Sequence, residues 1–540
     1  MENLVALTLG ALAGTGIHHS LFINGEWHIQ APAVLVSHLG AFGLIILLYS
    51  IVAYYGTGYL VALFTSITIY RIFFHRLSHF DGPFWARVSK LWHVWKVRDS
   101  KNHIFLAGLH AQYGDFIRTG PSEITVVHPD AFMVLDGPQT KCVKAEWYDL
   151  LHPGRALVTT RDKKIHAARR RQWNRGFSSR ALAQYEKKVL FYLGQMDEII
   201  EGNARTGQVC EVTDLFYWFG FDAMGDFVFN KSFDMLHNQK WHHIVVILQK
   251  ALDLLGPMSP VPWLIQIAFR LLPSFWLVKY WFTMEAWCEE QMRERIQMKL
   301  SDDPTRVPDV AHYLIEDLKD PTTATDGWTW LGGDSILAIV AGSEPTAAVL
   351  IGLFFELARH PQDAEAINAE LRQSRVDITD PVALAKFCPH LEASITEALR
   401  LFPALPTAGL RKTLDEAVVI AGTVIPPHTT VVAPRFLIAR SEYCFERASE
   451  FIPDRWYRKP QMVRNKAGYN PFGIGHNSCL GKTLATDYLR LVTARLVGKY
   501  HLRFPEGETG DAVLAHLRDR FASNPGRLRL RLDLREDAVC

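Results

Sequence analysis

The sequence predicts a mainly α-helical protein with small β-sheets, preceded by N-terminal transmembrane helices. Three observations lead to this fold class. Residues 1–70 contain no Lys or Arg, residues 163–300 follow a mostly helical pattern of apolar side chains, and short strand-like segments occur at 113–127 and 415–434. Helices therefore dominate, and the strands are expected to form only small sheets.

Length, charge and cysteine usage narrow the class of protein. The chain has 540 residues, of which 49% are hydrophobic, and its formal net charge of +2 gives no reason to expect a nucleic-acid partner. Its seven cysteines are scattered, odd in number and without CxxC spacing. This argues against a disulfide framework or a zinc site and suggests a reducing compartment. Cys540 is the last residue, so the prenylation pattern is absent.

Residues 1–76 are predicted to form a membrane anchor. From Trp27 to Tyr70 no residue is charged when the histidines are neutral, and a bilayer is crossed by about 20 apolar residues. Positive charge crowds the C-terminal side, where seven basic residues fall between 71 and 101, so that side is expected to face the cytosol. A cleaved signal peptide is not expected, because its basic start is missing. The alternative is a buried hairpin of core helices.

The number of membrane spans is predicted to be one to three. Gly56 and Gly58 divide the strongest apolar part into stretches near 33–55 and 59–74, each close to the length of one span. A further stretch from Leu4 to Ile17 is marginal, because two histidines follow it.

Behind the anchor, Asp81-Gly-Pro83 is predicted to be a hinge. Residues 256–275 interrupt the helical pattern with four prolines and many apolar side chains, so this loop is expected to pack inside or to dip into lipid. Residues 303–327 are predicted to be a surface loop, and Ser335 to Arg359 a long apolar helix.

The most informative segment is Asn470-Pro-Phe-Gly-Ile-Gly-His-Asn-Ser-Cys-Leu-Gly-Lys482. Glycines on both sides of Cys479 let the backbone pass close to a flat group while the sulfur points at it, and Phe472 can lie alongside as an apolar lid. A helix predicted from Lys482 places the sulfur near a helix N-terminus, which favours a thiolate. A shielded thiolate of this kind suits the axial position of a haem iron. The alternative is a buried structural cysteine.

Two further motifs precede this loop. Thr396-Glu-Ala-Leu-Arg-Leu-Phe-Pro403 lies about eighty residues before the cysteine, and its Glu397 and Arg400 share one helical face and can pair. Phe451-Ile-Pro-Asp-Arg-Trp456 adds Arg455. Taken alone, such a pair is an ordinary surface feature of little energetic consequence.

The three motifs, in this order, resemble those of the cytochrome P450 family, the haem-thiolate monooxygenases, over roughly residues 80 to 530. The resemblance implies a cytochrome P450-like fold for a catalytic domain at 77–540, and haem b with Cys479 as the axial iron ligand. It also implies that three side chains form a buried ion-pair cluster supporting the haem loop. These are Glu397, Arg400 and Arg455.

The segment Ala341-Gly-Ser-Glu-Pro-Thr-Ala347 occupies the position of the family's oxygen-binding helix. By resemblance, Gly342 leaves room for dioxygen and substrate, and Glu344 is the carboxylate of the proton relay. The family usually has threonine after this acid, whereas this chain has Pro345, with Thr346 one position later. Proline removes a backbone donor, so the helix is expected to kink there and proton delivery is left open.

The resemblance also implies how the haem is held. His166 and Arg170, four residues apart on a basic helix, and Arg411 match the family's propionate anchors. Asn477 stands where the family commonly has arginine, so it can donate a hydrogen bond without charge. The other matching haem-binding positions are Phe472, Gly475 and Gly481. The segments implied to line the substrate pocket are 146–162, 253–275, 337–346 and 405–410.

The main hypothesis is a membrane-bound monooxygenase that hydroxylates a hydrophobic small molecule with O2 and electrons from an NADPH-cytochrome P450 reductase. The anchor fits the endoplasmic-reticulum branch of the family, with membrane lipid as a partner and the catalytic domain facing the cytosol. The closest likeness is to fungal members that tailor secondary metabolites. Two alternatives stay open. One is a haem-thiolate enzyme that rearranges its substrate, uses peroxides or couples radicals; the other is a non-enzymatic membrane haem sensor.

Overall fold

The computed structural model describes residues 1–46, 50–297, 310–316, 327–407, 409–536 and 538. Within these residues the protein is mainly helical with short strands, as the sequence predicts. The predicted surface loop at 303–327 falls mostly outside the described residues, and Cys540 lies outside them.

Three helices form the N-terminal region. Their bounds are α1 (Glu2–Ile17, extended by a π-helical turn at His18–Phe22), α2 (Ala31–Ile46) and α3 (Ser50–Ile69, extended by a π-helical turn at Tyr70–Phe74). Glu2–Phe22 and Ile51–Phe74 are both long and apolar enough to cross a membrane. The stretch from Leu4 to Ile17, marginal by sequence, thus belongs to one of these two helices.

The predicted division of the apolar region at Gly56 and Gly58 is wrong, because both glycines lie inside α3. Gly58 is needed for packing: a Cβ there would lie 2.2 Å from the carbonyl oxygen of Leu7 in α1. Gly10 of α1 faces the carbonyl oxygen of Tyr55 in the same way, at 2.1 Å. Small residues at these positions let the two helix backbones touch.

The main domain, defined here as the described residues from 77 onward, begins with helices α4 to α16. Their bounds are α4 (Phe84–Val88), α5 (Leu91–Lys96), α6 (Asn102–Tyr113), α7 (Asp130–Asp136), α8 (Lys163–Gly176), α9 (Ser179–Thr206), α10 (Val212–Phe229), α11 (Met235–Asn238), α12 (His243–Asp253), α13 (Leu255–Met258), α14 (Pro262–Leu271), α15 (Val278–Gln297) and α16 (Val310–Glu316). The predicted loop at 256–275 is largely helical instead. Pro262 stands in the first turn of α14, where its missing N–H costs nothing, so it starts a helix rather than breaking one.

The second half of the main domain contains α17 (Gly327–Arg359), α18 (Pro361–Ser374), α19 (Pro381–Phe387), α20 (Pro389–Leu401), α21 (Arg435–Ile438), α22 (Lys482–Lys499) and α23 (Ala512–Ala515). The long helix predicted from Ser335 thus begins earlier, at Gly327. Pro345 lies inside α17 without ending it, and the bend expected there stays a prediction.

The strands form small sheets, as predicted. Their bounds are β1 (Phe116–Gly120), β2 (Glu123–Val126), β3 (Val143–Lys144), β4 (Cys210–Glu211), β5 (Arg411–Lys412), β6 (Val418–Ile420), β7 (Thr423–Ile425), β8 (Thr430–Val432), β9 (Tyr500–Arg503), β10 (Arg518–Arg520), β11 (Ala522–Asn524) and β12 (Arg529–Leu534). The largest sheet has the order β1-β2-β8-β5-β3, and β2 and β8 run parallel within it. A second sheet has the order β4-β12-β9, and β6-β7 and β10-β11 form hairpins.

The hydrophobic core lies around α10 and α17. Phe216 of α10 and Phe354 of α17 are fully buried, and their ring centroids lie 5.0 Å apart. Gly352 brings α17 against the end of α20, because a Cβ at this position would lie 2.3 Å from the ring of Phe402. Close packing of this kind fixes the position of α17 relative to α20, and therefore also the relative positions of the residues on these two helices.

Candidate active site

The cysteine loop is closed by short backbone contacts. The Cys479 N–H donates to the carbonyl oxygen of Phe472 at 2.8 Å, and the Lys482 ammonium lies 5.9 Å from the centre of the Phe472 ring. Gly475 has φ +65°, and a Cβ there would lie 2.1 Å from the carbonyl oxygen of Asp136. Glycine is therefore required at Gly475 both by backbone conformation and by the approach of α7.

Cys479 differs from the other cysteines of the described residues, because its side chain is exposed and theirs are buried. The N–H of Gly481, the residue that caps α22, donates toward the Sγ atom. Surrounding protein atoms nevertheless crowd the sulfur. This burial raises the pKa of the thiol, whereas Gly481, Arg170 and Lys482 lower it. The Gly481 N–H at the start of α22 lowers the pKa of the Cys479 thiol and so favours the thiolate, but burial raises this pKa by more.

A side chain of helix α8 is hydrogen-bonded to the residues that precede the cysteine. Arg170 donates to the carbonyl oxygens of Ser478 at 2.7 Å and His476 at 3.1 Å, and to the Ser478 hydroxyl at 3.2 Å. His166 lies on the same face of α8, and both side chains line one cavity of about 490 Å³ together with Asn477. The structure thus places Arg170, His166 and Asn477 together, as the helical spacing predicts.

This cavity is strongly cationic. Among the described residues that line it there is no acid, and the basic ones include Lys144, Arg161, Lys163, His166, Arg170 and Arg171. Burial, together with nearby Arg411, lowers the pKa of Lys144 to about 7. Burial, followed by Lys144 and Arg170, lowers the pKa of His166 to about 4, so this imidazole is neutral near pH 7. Arg161 is paired with Glu26 and Asp149, and His166 is neutral, so the positive charge left for the two propionates of a haem comes mainly from Lys163, Arg170 and Arg171.

Arg411 lies in β5, at the edge of this region. Its guanidinium donates to Asp136 at 2.6 Å and to the Tyr148 hydroxyl at 3.0 Å, and the side chain is buried. Burial by itself lowers the pKa of Arg411, but Tyr148 and Asp136 raise it by more. The pKa therefore ends above its usual value, and the guanidinium stays charged. A contact between Arg411 and a propionate remains a prediction.

Glu397, Arg400 and Arg455 form a buried cluster, and none of their side chains is exposed. Arg400 donates to both Glu397 carboxylate oxygens at 2.8 Å, and Arg455 donates to Oε1 at 2.9 Å. Burial by itself raises the pKa of Glu397, but the two arginines hold it below its usual value. A buried carboxylate with two cations is stable only when its hydrogen bonds are complete.

The cluster is linked to the cysteine loop by aromatic side chains. The Trp456 indole N–H donates to Glu397 Oε2 at 2.9 Å, and its ring centroid lies 4.9 Å from that of Tyr469. Tyr469 immediately precedes the loop that carries Cys479. The proposed support of this loop by the ion-pair cluster therefore has a direct packing route.

On α17, Glu344 is buried and points toward the β10-β11 hairpin. Its Oε2 lies 3.5 Å from Nη2 of Arg520, and Oε1 has no hydrogen-bond partner among the described residues. Burial raises the pKa of Glu344, and Arg520 partly offsets this. Arg520 is also paired with Asp253 at 2.7 Å and lines a second cavity of about 490 Å³. The Arg520 side chain thus lies between the Glu344 carboxyl and this cavity.

The neighbouring predicted positions on α17 are placed differently. A Cβ at Gly342 would lie 2.4 Å from the Met224 side chain, so this glycine makes room for α10 rather than for open space. The room that Gly342 is expected to leave for dioxygen and substrate stays a prediction. Thr346 is buried, and its part in proton delivery likewise remains a prediction.

Sequence reasoning missed Lys144 and Arg520. Lys144 lies in a two-residue strand, and Arg520 lies in a hairpin after the cysteine loop, so neither belongs to a motif. Only their positions in the folded protein identify them. Lys144 lies in the same cavity as Arg170, and Arg520 lies beside Glu344, although each pair is distant in sequence.

Comparison with known proteins supports the interpretation of the cysteine loop. The sequence model of the family "Cytochrome P450" matches residues 83–530. The chain is 34% identical to "Cytochrome P450 monooxygenase notG'" of Aspergillus versicolor, covering 97% of each protein. It is 34% identical to "Tryprostatin B 6-hydroxylase" of Neosartorya fischeri, covering 86% of this chain and 83% of that one. The protein of the same name in Aspergillus fumigatus is 33% identical, with coverages of 96% and 94%.

Proposed function

Because this chain belongs to the cytochrome P450 family, we propose that it is a membrane-bound enzyme that hydroxylates a hydrophobic small molecule. Family membership makes it a haem-thiolate monooxygenase, and its fungal relatives at this identity are named as monooxygenases, two of them for hydroxylating tryprostatin B. The proposal adds the membrane, the electron donor and the substrate class, an intermediate of secondary metabolism.

The observation that carries the proposal is the exposed Cys479 on a loop fixed by Arg170, beside a cavity lined by cations. Cys479 would be the axial ligand of haem b, and Arg170 and Lys144 would hold its propionates, with His166 as a neutral hydrogen-bond donor. When bound, the haem supplies the activation of O2. Gly475 lets the loop backbone approach Asp136 of α7, and a Cβ at Gly481 would lie 4.0 Å from the Cys479 Sγ atom.

Glu344 is proposed to hold and release the proton that oxygen activation requires. Burial raises the pKa of Glu344, so this carboxyl takes up a proton more readily than an exposed one, and its Oε1 has no hydrogen-bond partner among the described residues, which leaves it able to bond a water or a substrate hydroxyl. Arg520 keeps the other oxygen in place at 3.5 Å. Pro345 has no hydroxyl group, so Thr346, water or a substrate hydroxyl would take the place of the usual threonine.

The proposed membrane location and the proposed electron donor depend on each other, because the reductase is itself bound to the membrane. The two long apolar helices Glu2–Phe22 and Ile51–Phe74 suit insertion into the endoplasmic-reticulum membrane, with the catalytic domain in the cytosol. Electrons from NADPH would then reach the site through a membrane-bound cytochrome P450 reductase, two for each turnover. A substrate that arrives from the lipid is hydrophobic.

The test uses membranes that contain the full-length protein and a reductase. Metabolite extracts of a strain lacking this protein are incubated with these membranes, NADPH and isotopically labelled O2. We expect one metabolite to gain one labelled oxygen atom, and this gain to require NADPH. Labelled product without NADPH, or none with it, would contradict the proposed reductase-dependent hydroxylation.

Pro345 favours a second candidate, a haem-thiolate enzyme that uses hydroperoxides or rearranges its substrate without a reductase. The same membranes supplied with a hydroperoxide alone would then turn the substrate over, and NADPH would add nothing. Replacing Pro345→Thr should shift turnover toward NADPH under this second reading. The haem-sensor alternative gains no support, because the relatives are named as enzymes.

A further inference from the structure

Helices α1 and α3 pack side by side and run in the same direction. Close contacts between them advance together along both helices. From the N-terminal to the C-terminal end, the contacting pairs include Gly10 with Tyr55, Gly14 with Tyr59 and His18 with Ser66, and the pair of Leu7 with Gly58 departs from this order by less than one turn. An antiparallel pair would show the opposite order. The ends at Phe22 and Phe74 therefore lie on the same side, where the chain enters the main domain.

Parallel neighbours require a return crossing. If both Glu2–Phe22 and Ile51–Phe74 cross a bilayer, the chain between them must come back through its full thickness. Helix α2, Ala31–Ile46, is the apolar helix in this connection, and its 16 residues span about 24 Å at about 1.5 Å per residue. The hydrocarbon core is about 30 Å thick. Among the described residues of the connection, α2 is the helix that can supply this crossing, since unpaired backbone is not tolerated in lipid.

The turn between α1 and α2 is bonded to the main domain. The Glu26 carboxylate accepts from the Arg161 guanidinium through both oxygens, at 2.7 and 2.9 Å, and from Lys412 at 2.6 Å. Two residues later, His28 Nε2 lies 2.9 Å from Asp149 Oδ2. Burial raises the pKa of Glu26, but Arg161 and Lys412 hold it well below its usual value.

These groups form an ion-pair cluster rather than a metal site. Ligand atoms of Glu26, His28 and Asp149 lie within 4.8 Å of one another, which is metal-like spacing. However, Arg161 already donates to both carboxylates, and Lys412 donates to Glu26. Two fixed cations at hydrogen-bond distance would repel a divalent ion. Bidentate bonds from arginine instead fix the geometry of the contact.

A second contact lies beside the cluster. Helix α2 packs against α14, and the buried Gln266 of α14 donates to the carbonyl oxygens of Asp149 and Leu150 at 3.0 and 2.7 Å. The Arg161 Nε donates to the carbonyl oxygen of Lys144 at 2.9 Å. The turn after α1 is thus connected to the segment that leads to the cationic cavity.

We propose that α2 is a third membrane span and that Glu26, through its ion pairs, and His28, through its contact with Asp149, form a latch holding the catalytic domain in one orientation on the membrane. The N-terminus then lies on the opposite side of the membrane from the catalytic domain. The inference rests on the membrane location proposed above, but it is independent of the reaction catalysed.

Topology is tested on the full chain in endoplasmic-reticulum membranes. One version carries a polar N-terminal extension with a glycosylation acceptor, and a second carries the same extension after Cys540. We expect the first to be glycosylated and the second not, with both resistant to carbonate extraction. An unmodified N-terminus on an extraction-resistant protein would overturn the three-span topology while leaving monooxygenase turnover untouched. Release by carbonate would overturn the membrane location and the inference together.

The latch is tested by hydrogen exchange of the protein in lipid nanodiscs. We expect Glu26→Gln to raise amide exchange in residues 23–30 and 146–150 roughly tenfold, since the loss of an ion-paired hydrogen bond corresponds to about 1.4 kcal/mol or more. In an Arg161→Gln background the same change should add much less. The control is Glu508→Gln, which removes an exposed pair with Arg529. Unchanged exchange in Glu26→Gln, or full additivity with Arg161→Gln, would overturn the latch.

Discussion

Arg170 and Ser478 connect helix α8 to the residue immediately before the cysteine. One guanidinium nitrogen donates to the Ser478 carbonyl oxygen at 2.7 Å, and the other donates to its hydroxyl at 3.2 Å. The same side chain lines the cationic cavity. Arg170 therefore has two tasks, since it positions the loop that carries the sulfur and contributes charge where the haem propionates are expected.

Replacing Arg170→Gln should weaken haem retention without unfolding the domain. Charge-assisted hydrogen bonds contribute about 1.5–3 kcal/mol, which corresponds to a haem dissociation rate that is roughly 10 to 100 times faster. Transfer of haem to apomyoglobin measures this rate. Arg171→Gln is the matched control, because it removes a neighbouring cation that makes no bond to the cysteine loop. Equal effects of the two changes would show that charge alone matters.

Glu397→Gln should destabilise the domain strongly. The change leaves the buried Arg400 and Arg455 without their shared carboxylate, which costs about 3–5 kcal/mol. Urea unfolding of the purified protein, together with the haem content per chain, gives the measurement. Glu450→Gln removes an exposed pair with Arg447 and should leave unfolding unchanged. A small effect of Glu397→Gln would mean that the cluster does not support the fold.

Glu344→Gln should reduce turnover while leaving haem binding intact. Removing a positioned proton donor typically costs about 10² to 10⁴ in rate. With the substrate identified by the metabolite assay, product formed per NADPH consumed should fall while peroxide release rises. Thr346→Ala is the companion variant, and the weaker effect is expected there. Undiminished coupling in Glu344→Gln would remove this carboxyl from the proposed relay.

Asp519 should make stability depend on pH. Burial raises its pKa to about 7, although Thr407 donates to it at 2.5 Å. The unfolded chain releases this proton near pH 4, so between about pH 4 and pH 7 the native state binds more protons. Stability from this group is therefore full at low pH and is lost as the pH rises to 7. Relative to wild type, Asp519→Asn should gain up to about 4 kcal/mol at pH 8 and nothing near pH 4. Urea unfolding at both pH values measures this, and a pH-independent difference would contradict it.

The sequence predicted the parts of the site that are carried by local motifs. Cys479, with its glycines, and the pair Glu397 and Arg400 are each encoded within a few residues, so their geometry follows from loop and helix periodicity. The described residues from 163 to 297 are mostly helical, as the apolar spacing predicts.

Contacts between distant segments could not be predicted in this way. Glu26 contacts Arg161 and Lys412, which lie far from it in the sequence and come together with it only in the folded protein. No sequence motif around Glu26 indicates these contacts. The sequence predicts a division at Gly58, whereas this glycine serves a contact between two helices, because a glycine in an apolar run is compatible with both.

The central claim is that the Cys479 sulfur is the axial ligand of a haem iron. The carbon monoxide difference spectrum of the reduced, purified protein tests it most directly, with Cys479→Ser beside wild type. The account predicts a Soret band at the position specific to thiolate ligation in wild type, and its loss in Cys479→Ser. A wild-type spectrum without that band, or one that the substitution leaves unchanged, would contradict the account.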